Sequence, residues 1–149
     1  KELEYPVGSF PGQGIPQVTT SNPDIDVLPE LGKQKLSEGN FSGAQTDFQT
    51  YLAVMPDAPN AGEVNYWLGE TYFVKGGYAN AADAYINSMR KDSQGVKAPE
   101  ALIRLGASLR ELGKKTEACQ ALDSFPSQYP NASADIREKA RIEVSRTGC

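Results

Sequence analysis

From Asp26 onward, apolar residues recur at helical spacing and are interrupted by glycines at a fixed interval. Gly32, Gly69 and Gly106 are 37 residues apart, and a leucine precedes each of them. The same interval repeats a second glycine, an alanine and a large apolar residue, at Gly39, Gly76 and Gly113, at Ala44, Ala81 and Ala118, and at Phe48, Tyr85 and Leu122. Agreement at this many columns indicates three copies of one structural unit.

Each copy is predicted to form two antiparallel helices. Small residues in the first-glycine and alanine columns let two helix backbones approach each other, and the second glycine tolerates the left-handed conformation that ends a helix. The second helices are predicted at about residues 41–54, 78–90 and 116–128, with the large apolar column buried. Asn60, three residues before Glu63, predicts a helix N-cap, and Pro99 suits a first helical turn.

The two ends of the chain differ from the repeats. Residues 1–24 contain four prolines and three glycines without any apolar period, which predicts an extended linker, with a folded arm as the alternative. Residues 133–147 predict a closing helix, because Ile136, Ala140 and Val144 form one apolar stripe that can cover the end of a repeat stack. The predicted fold is therefore all-α, a right-handed α-solenoid with repeats at about 25–61, 62–98 and 99–132.

Composition excludes several classes of function. Nineteen acidic and fifteen basic residues give a net charge of -4, which disfavours nucleic acid as a partner. The sequence contains no run of about eighteen apolar residues that could cross a membrane. Histidine is absent, which removes the commonest general base and metal ligand. We therefore expect no catalytic residue, no metal and no cofactor, and we predict that the protein is not an enzyme.

The middle copy resembles the tetratricopeptide repeat. It matches that pattern at Leu68, Gly69, Tyr72, Ala81 and Tyr85, although Asn65 occupies the position of the consensus tryptophan and Trp67 lies two residues later. The 37-residue period is also longer than the usual repeat of about 34 residues. The stretches "YWLGETYF", "KAPEALIRLGASLRELGKKTEACQAL" and "YP" resemble the C-terminal domain of the CpoB (YbgF) family, over about residues 25–147.

This resemblance implies a periplasmic adaptor of cell division without catalytic activity. Members of the family carry a signal peptide and a trimerising coiled coil before a linker, so residues 1–24 resemble the end of that linker. The resemblance thus implies a monomer for this chain and a trimer for the full-length protein. It also implies two protein partners, TolA of the Tol-Pal system and a bifunctional peptidoglycan synthase. A structural scaffold subunit similar to BamD is the alternative, since "YWLGE" resembles that family too.

The two cysteines are predicted to form a disulfide. Cys119 lies on the second helix of the third copy, and Cys149 follows the closing helix, which should pack beside it. The oxidising periplasm that the resemblance implies would permit the bond. The alternative is a buried Cys119 with a free terminal thiol.

The first helix of each copy should line the concave groove, where tetratricopeptide repeats bind their partners. The expected groove is apolar with an acidic cast, which suits a segment with apolar anchors and some Lys or Arg. Tyr66 and Phe73 could instead fill gaps between helices, and Trp67 is expected to pack between first helices. Chaperone-binding tetratricopeptide repeats hold a carboxylate of their partner with side chains in this groove. At the equivalent positions of this chain, Lys33 is the only basic residue. The predicted partner-binding residues are Lys33, Tyr66, Glu70, Phe73, Val74, Ile103 and Arg110.

Overall fold

The computed structural model describes residues 23–149, and this part of the chain is all helical, with no strand. The linker predicted for residues 1–24 lies outside the described residues except for its last two, which begin the first helix. The helices are α1 (Pro23–Asp26), α2 (Leu28–Ser37), α3 (Phe41–Val54), α4 (Ala61–Val74), α5 (Tyr78–Lys91), α6 (Ala98–Glu111), α7 (Lys115–Asp123), α8 (Phe125–Gln128) and α9 (Ala134–Thr147).

The three predicted helix pairs are present as α2 with α3, α4 with α5, and α6 with α7, and α9 packs on both helices of the last pair. Two apolar clusters form the core. One lies around Phe48 and Val64 in the N-terminal half, and the other lies around Leu102 and Phe125 in the C-terminal half. Trp67 and Tyr72 contact both clusters, so the stack has a continuous interior.

The same turn joins the helices of every pair. Gly39, Gly76 and Gly113 have φ angles of +83°, +81° and +77°, which is the left-handed conformation predicted for them. The amide after each glycine donates to a carbonyl five residues earlier, as from Gly77 to Tyr72 at 2.8 Å. These turns reverse the chain sharply enough for the two helices of a pair to pack side by side.

The first glycine column makes room for a side chain. A Cβ atom built on Gly69 would lie 2.6 Å from a carbon of the Tyr85 ring. Gly32 faces the Phe48 ring in the same way, and Gly106 faces Leu122. The sequence predicts that these glycines let two helix backbones approach each other. In the structure, the large apolar residue of the second helix instead fills the space that each glycine leaves.

One local prediction was wrong, and another was confirmed only in part. The second helix of the third pair is interrupted at Ser124, because Pro126 has no N–H with which to continue the helical ladder. Asn60 is the N-cap residue of α4, but its side chain does not bond to the helix. Its amide oxygen instead accepts a hydrogen bond of 2.7 Å from the hydroxyl of Tyr51, which ties the loop before α4 to α3.

Candidate functional site

The first helices, the first residues of α3 and α5, and α9 line one continuous face, which we call the groove, and it contains two cavities. The N-terminal cavity has a volume of about 600 Å³, and the C-terminal cavity has a volume of about 400 Å³. Glu70 and Arg104 line both, so the two cavities meet at these residues. The remaining lining residues are Leu36, Phe41, Phe73, Val74 and Tyr78 in the N-terminal cavity, and Tyr66, Glu100, Ile103, Lys139, Ile142, Glu143 and Arg146 in the C-terminal cavity.

A fixed ion pair separates the two cavities. Arg104 Nε donates to Glu70 Oε1 at 2.8 Å, and the Tyr85 hydroxyl donates to the same oxygen. The guanidinium carbon of Arg104 lies 4.0 Å from the centroid of the Phe73 ring, which adds a cation–π contact. Burial of Arg104 disfavours its charged form, but the carboxylate of Glu70 outweighs this effect and raises the pKa of Arg104. The hydrogen bonds from Arg104 and Tyr85 thus hold the Glu70 carboxylate between the two cavities.

Tyr66 is both a core residue and a wall of the C-terminal cavity. Only 5% of it is exposed, and its ring packs edge-on against Trp67 with the centroids 5.2 Å apart. The Tyr85 ring lies on another side at 5.9 Å. Burial, followed by the charges of Glu70 and Glu100, raises the pKa of Tyr66 above its ordinary value. Tyr66 thus presents a neutral, fixed surface to the groove.

The N-terminal cavity is lined mainly by apolar side chains. Phe73 packs edge-on against Tyr78 with the ring centroids 5.1 Å apart, and Leu36 and Phe41 complete the wall. Val74 is 52% exposed at the last residue of α4. Val74 therefore leaves an apolar side chain open to solvent at the edge of this cavity.

The sequence predicts an excess of acidic side chains in the groove. The structure does not have this excess, because basic side chains from several elements pair with the carboxylates. Glu100 Oε1 lies 3.3 Å from Lys97 Nζ, and Glu100 Oε2 lies 3.6 Å from Lys139 Nζ. Glu143 is buried and accepts from Arg110, with Arg146 at 3.4 Å on its other oxygen. Of the predicted groove residues, Arg110 therefore holds α9 in place through Glu143.

Lys33, a predicted groove residue, lies against Trp67, and neither residue lines either cavity. Lys33 Nζ is 3.0 Å from Glu30 and 3.9 Å from Glu63, and it lies 5.6 Å from the centroid of the Trp67 ring. Lys97 Nζ lies 5.2 Å from the same ring. Trp67 is half-buried against both core clusters, in agreement with its expected packing, and two lysines lie against its ring.

Sequence reasoning missed Arg104 and the contribution of α9. Arg104 is 37 residues after Trp67, so the repeat register places it between neighbouring first helices, where it contacts Glu70. Ile103, which was predicted, is only 3% exposed and forms the floor of the C-terminal cavity. The α9 residues could not be found from periodicity, because the angle at which a closing helix docks does not follow from the repeat.

The end of α9 is attached covalently to α7. Cys119 and Cys149 form a disulfide, with their Cα atoms 5.5 Å apart. Within residues 23–149, no cluster of three or more acidic or cysteine side chains could hold a metal ion. Over the same residues, no helix combines the length and the apolar character that crossing a membrane requires.

Two family models, both described as tetratricopeptide repeat, match the chain over residues 30–96 and 100–132. Together they cover all three helix pairs. No curated protein sequence matches the chain.

Several solved structures share the fold at low sequence identity. The type III secretion chaperone SycD of Yersinia enterocolitica, in complex with a peptide of the translocator YopD, is 17% identical, with a TM-score of 0.73 over 86% of this chain and 95% of that one. PcrH of Pseudomonas aeruginosa is 17% identical, with a TM-score of 0.73 over 87% and 95%. The second tetratricopeptide-repeat domain of human RPAP3, in complex with an HSP70 peptide, is 18% identical, with a TM-score of 0.70 over 84% of this chain and 95% of that one.

Proposed function

Because this chain is a tetratricopeptide-repeat protein, we propose that it is a non-catalytic adaptor whose groove binds a segment of a partner protein. The observation that carries this proposal is the pair of adjoining cavities on one face, one of which is edged by an exposed valine. SycD and RPAP3, which share the fold, were both solved with a peptide of another protein.

The geometry favours a segment that occupies both cavities at once. The N-terminal cavity offers the rings of Phe73 and Tyr78 to an apolar side chain. The C-terminal cavity has an apolar floor at Ile103 under charged walls, which suits a longer polar side chain. Rigid aromatic side chains bind with little loss of rotamer entropy, and an apolar anchor in such a pocket provides much of the affinity of a peptide.

We further propose that the protein acts in the periplasm, where it links TolA of the Tol-Pal system to a bifunctional peptidoglycan synthase during cell division. The support for this is the resemblance of "YWLGETYF" and of the long stretch that begins at Lys97 to the CpoB family. A Cys119–Cys149 disulfide is consistent with an oxidising compartment, because such bonds rarely persist in a reducing cytosol.

Substitution of Val74 tests the groove, and Val54 provides a matched control. Both are the last residue of a fourteen-residue helix, with 52% and 54% of the residue exposed, but only Val74 lines a groove cavity. A charge at Val74 would have to be desolvated when a partner covers it, so Val74→Asp should weaken binding of the periplasmic part of TolA about tenfold or more. Val54→Asp should leave binding unchanged.

Titration calorimetry measures the affinities, and circular dichroism confirms that both variants are folded. Equal affinity of the two variants would show that TolA does not bind in the groove. If the unsubstituted protein does not bind TolA, the partner assignment fails. The groove could then still bind a segment of another protein.

A further inference from the structure

Two basic side chains of α9 project into the C-terminal cavity and remain accessible to solvent. Lys139 and Arg146 are seven residues apart on one helix, with Ile142 between them, so that all three lie on one side of α9. The side chain of Lys139 is 60% exposed and that of Arg146 is 64% exposed. The acids beside them are far less accessible, with 19% of the Glu100 side chain exposed and 7% of the Glu143 side chain.

Each of these acids also has a closer base that lies outside α9. Glu100 lies 3.3 Å from Lys97, compared with 3.6 Å from Lys139. Glu143 is bonded to Arg110, whereas its contact with Arg146 is 3.4 Å long. The two α9 bases can therefore turn toward an incoming carboxylate without leaving a buried acid unpaired, and exposed ion pairs of this kind cost little to exchange.

We propose that the C-terminal cavity recognises an acidic side chain of the partner segment through Lys139 and Arg146, next to an apolar side chain in the N-terminal cavity. This inference rests on the proposed function, and it specifies the chemistry of the partner. It reverses the expectation of a basic partner, because the acids of the groove are covered and paired while the accessible charges in this cavity are positive. Recognition is assigned to the closing helix rather than to the first helices of the repeats.

A phage-displayed library of random twelve-residue peptides provides an unbiased probe. The library is selected on the unsubstituted protein, and the selected peptides are then resynthesised with each Asp or Glu replaced by its amide. We expect the selected peptides to combine an apolar residue with Asp or Glu. We also expect the amide versions to bind about three- to thirtyfold more weakly, as for two exposed ion pairs.

Two double substitutions test whether α9 causes the preference for acidic peptides over their amide versions. In the Lys139→Gln/Arg146→Gln protein, the acidic and amide peptides should bind equally, because the groups that distinguish them are gone. The control is Arg137→Gln/Arg141→Gln, which removes the same charge from α9 at residues that line a different cavity, against α7 and α8. The control should retain the preference for the acidic peptide.

The outcomes separate the two proposals. Selected peptides without acidic residues, or an acidic preference that survives Lys139→Gln/Arg146→Gln, would overturn the inference while leaving peptide binding intact. A third outcome is that Val74→Asp weakens the binding of none of the selected peptides. In that case the groove is not a peptide site, and both the proposed function and this inference fail.

Discussion

Gly69 has no side chain at the point where the ring of Tyr85 enters α4. An alanine there would place its Cβ 2.6 Å from a ring carbon, and the ring cannot shift easily because the Tyr85 hydroxyl is bonded to Glu70. Overpacking of a core typically costs about 1–3 kcal/mol, while Ala is favoured over Gly in a helix by up to about 1 kcal/mol. We therefore predict that Gly69→Ala lowers the free energy of unfolding by about 1–2 kcal/mol, measured by urea denaturation.

Gly76→Ala is the appropriate comparison, because no atom lies within 4 Å of a Cβ at that position and φ is +81°. Its cost should come from the backbone alone, at about 1 kcal/mol. Replacing Tyr85 with Leu should relieve the cost of Gly69→Ala but not that of Gly76→Ala. If the combined Gly69→Ala/Tyr85→Leu variant shows no such relief, the ring is not the cause of the destabilisation.

Two buried tyrosines, Tyr66 and Tyr85, make the stability of the fold depend on pH in the alkaline range. The pKa of Tyr66 and that of Tyr85 are both raised above the ordinary value of 10.0, first by burial and then by the charge of Glu70. Above pH 10 the unfolded chain loses these protons while the folded chain keeps them, so stability falls as pH rises. Each retained proton contributes a slope of about 1.4 kcal/mol per pH unit.

Tyr85→Phe removes one of these protons. The fall in the free energy of unfolding between about pH 11 and 12 should therefore be less steep by about 1.4 kcal/mol per pH unit. Urea denaturation at a series of pH values measures it. Tyr129, whose pKa is also raised by burial, contributes equally to both proteins and cancels from the comparison. An unchanged slope would mean that the Tyr85 hydroxyl ionises in the folded protein as readily as in the unfolded chain.

At the scale of the element, α9 depends on few contacts. Its buried residues are Ala140, Glu143 and Thr147, and two of these three are polar. The disulfide closes a segment of 30 residues that contains the whole helix. For a loop of this length, the loss of unfolded-state entropy is worth roughly 3–4 kcal/mol in the chain-entropy model.

We therefore predict that Cys149→Ser lowers the free energy of unfolding by about 2–4 kcal/mol, measured in urea. The unsubstituted protein with added reductant should show the same loss, because both treatments remove the same bond. Reductant should have no further effect on Cys149→Ser. A loss in the variant without a matching loss on reduction would indicate that the serine itself is harmful.

The repeat period predicted most of the elements and only part of the groove. The range predicted for the second helix of the first pair, residues 41–54, matches α3. The turns at the second glycines were also predicted, because a left-handed residue is a local property of the chain. The interruption at Pro126 was missed, since a strong repeat pattern hid a local breaker. The side of the C-terminal cavity that α9 provides was missed, because the position of α9 depends on the Arg110–Glu143 pair and the disulfide.

At the scale of the whole molecule, the two core clusters should unfold together. Trp67 is the only tryptophan of the chain and contacts both clusters, as Tyr72 also does. In short repeat arrays, contacts between neighbours make unfolding cooperative. We predict that tryptophan fluorescence, which reports on the junction, and far-ultraviolet circular dichroism, which reports on all helices, have the same urea midpoint. Two separate midpoints would show that the halves unfold independently.

The disulfide also determines how the molecule would bear a mechanical load. When the chain is pulled between α2 and Cys149, tension reaches Cys119 on α7 and passes through the two sulfur atoms directly to Cys149. The 30-residue segment that contains α8 and α9 lies outside this path and carries no force. Stretching would open the helix pairs that precede Cys119 in the sequence. The segment closed by the disulfide would not extend, although its extended length is about 100 Å, at roughly 3.5 Å per residue. An adaptor anchored in this way could be under tension while the closing helix of its groove remains unloaded.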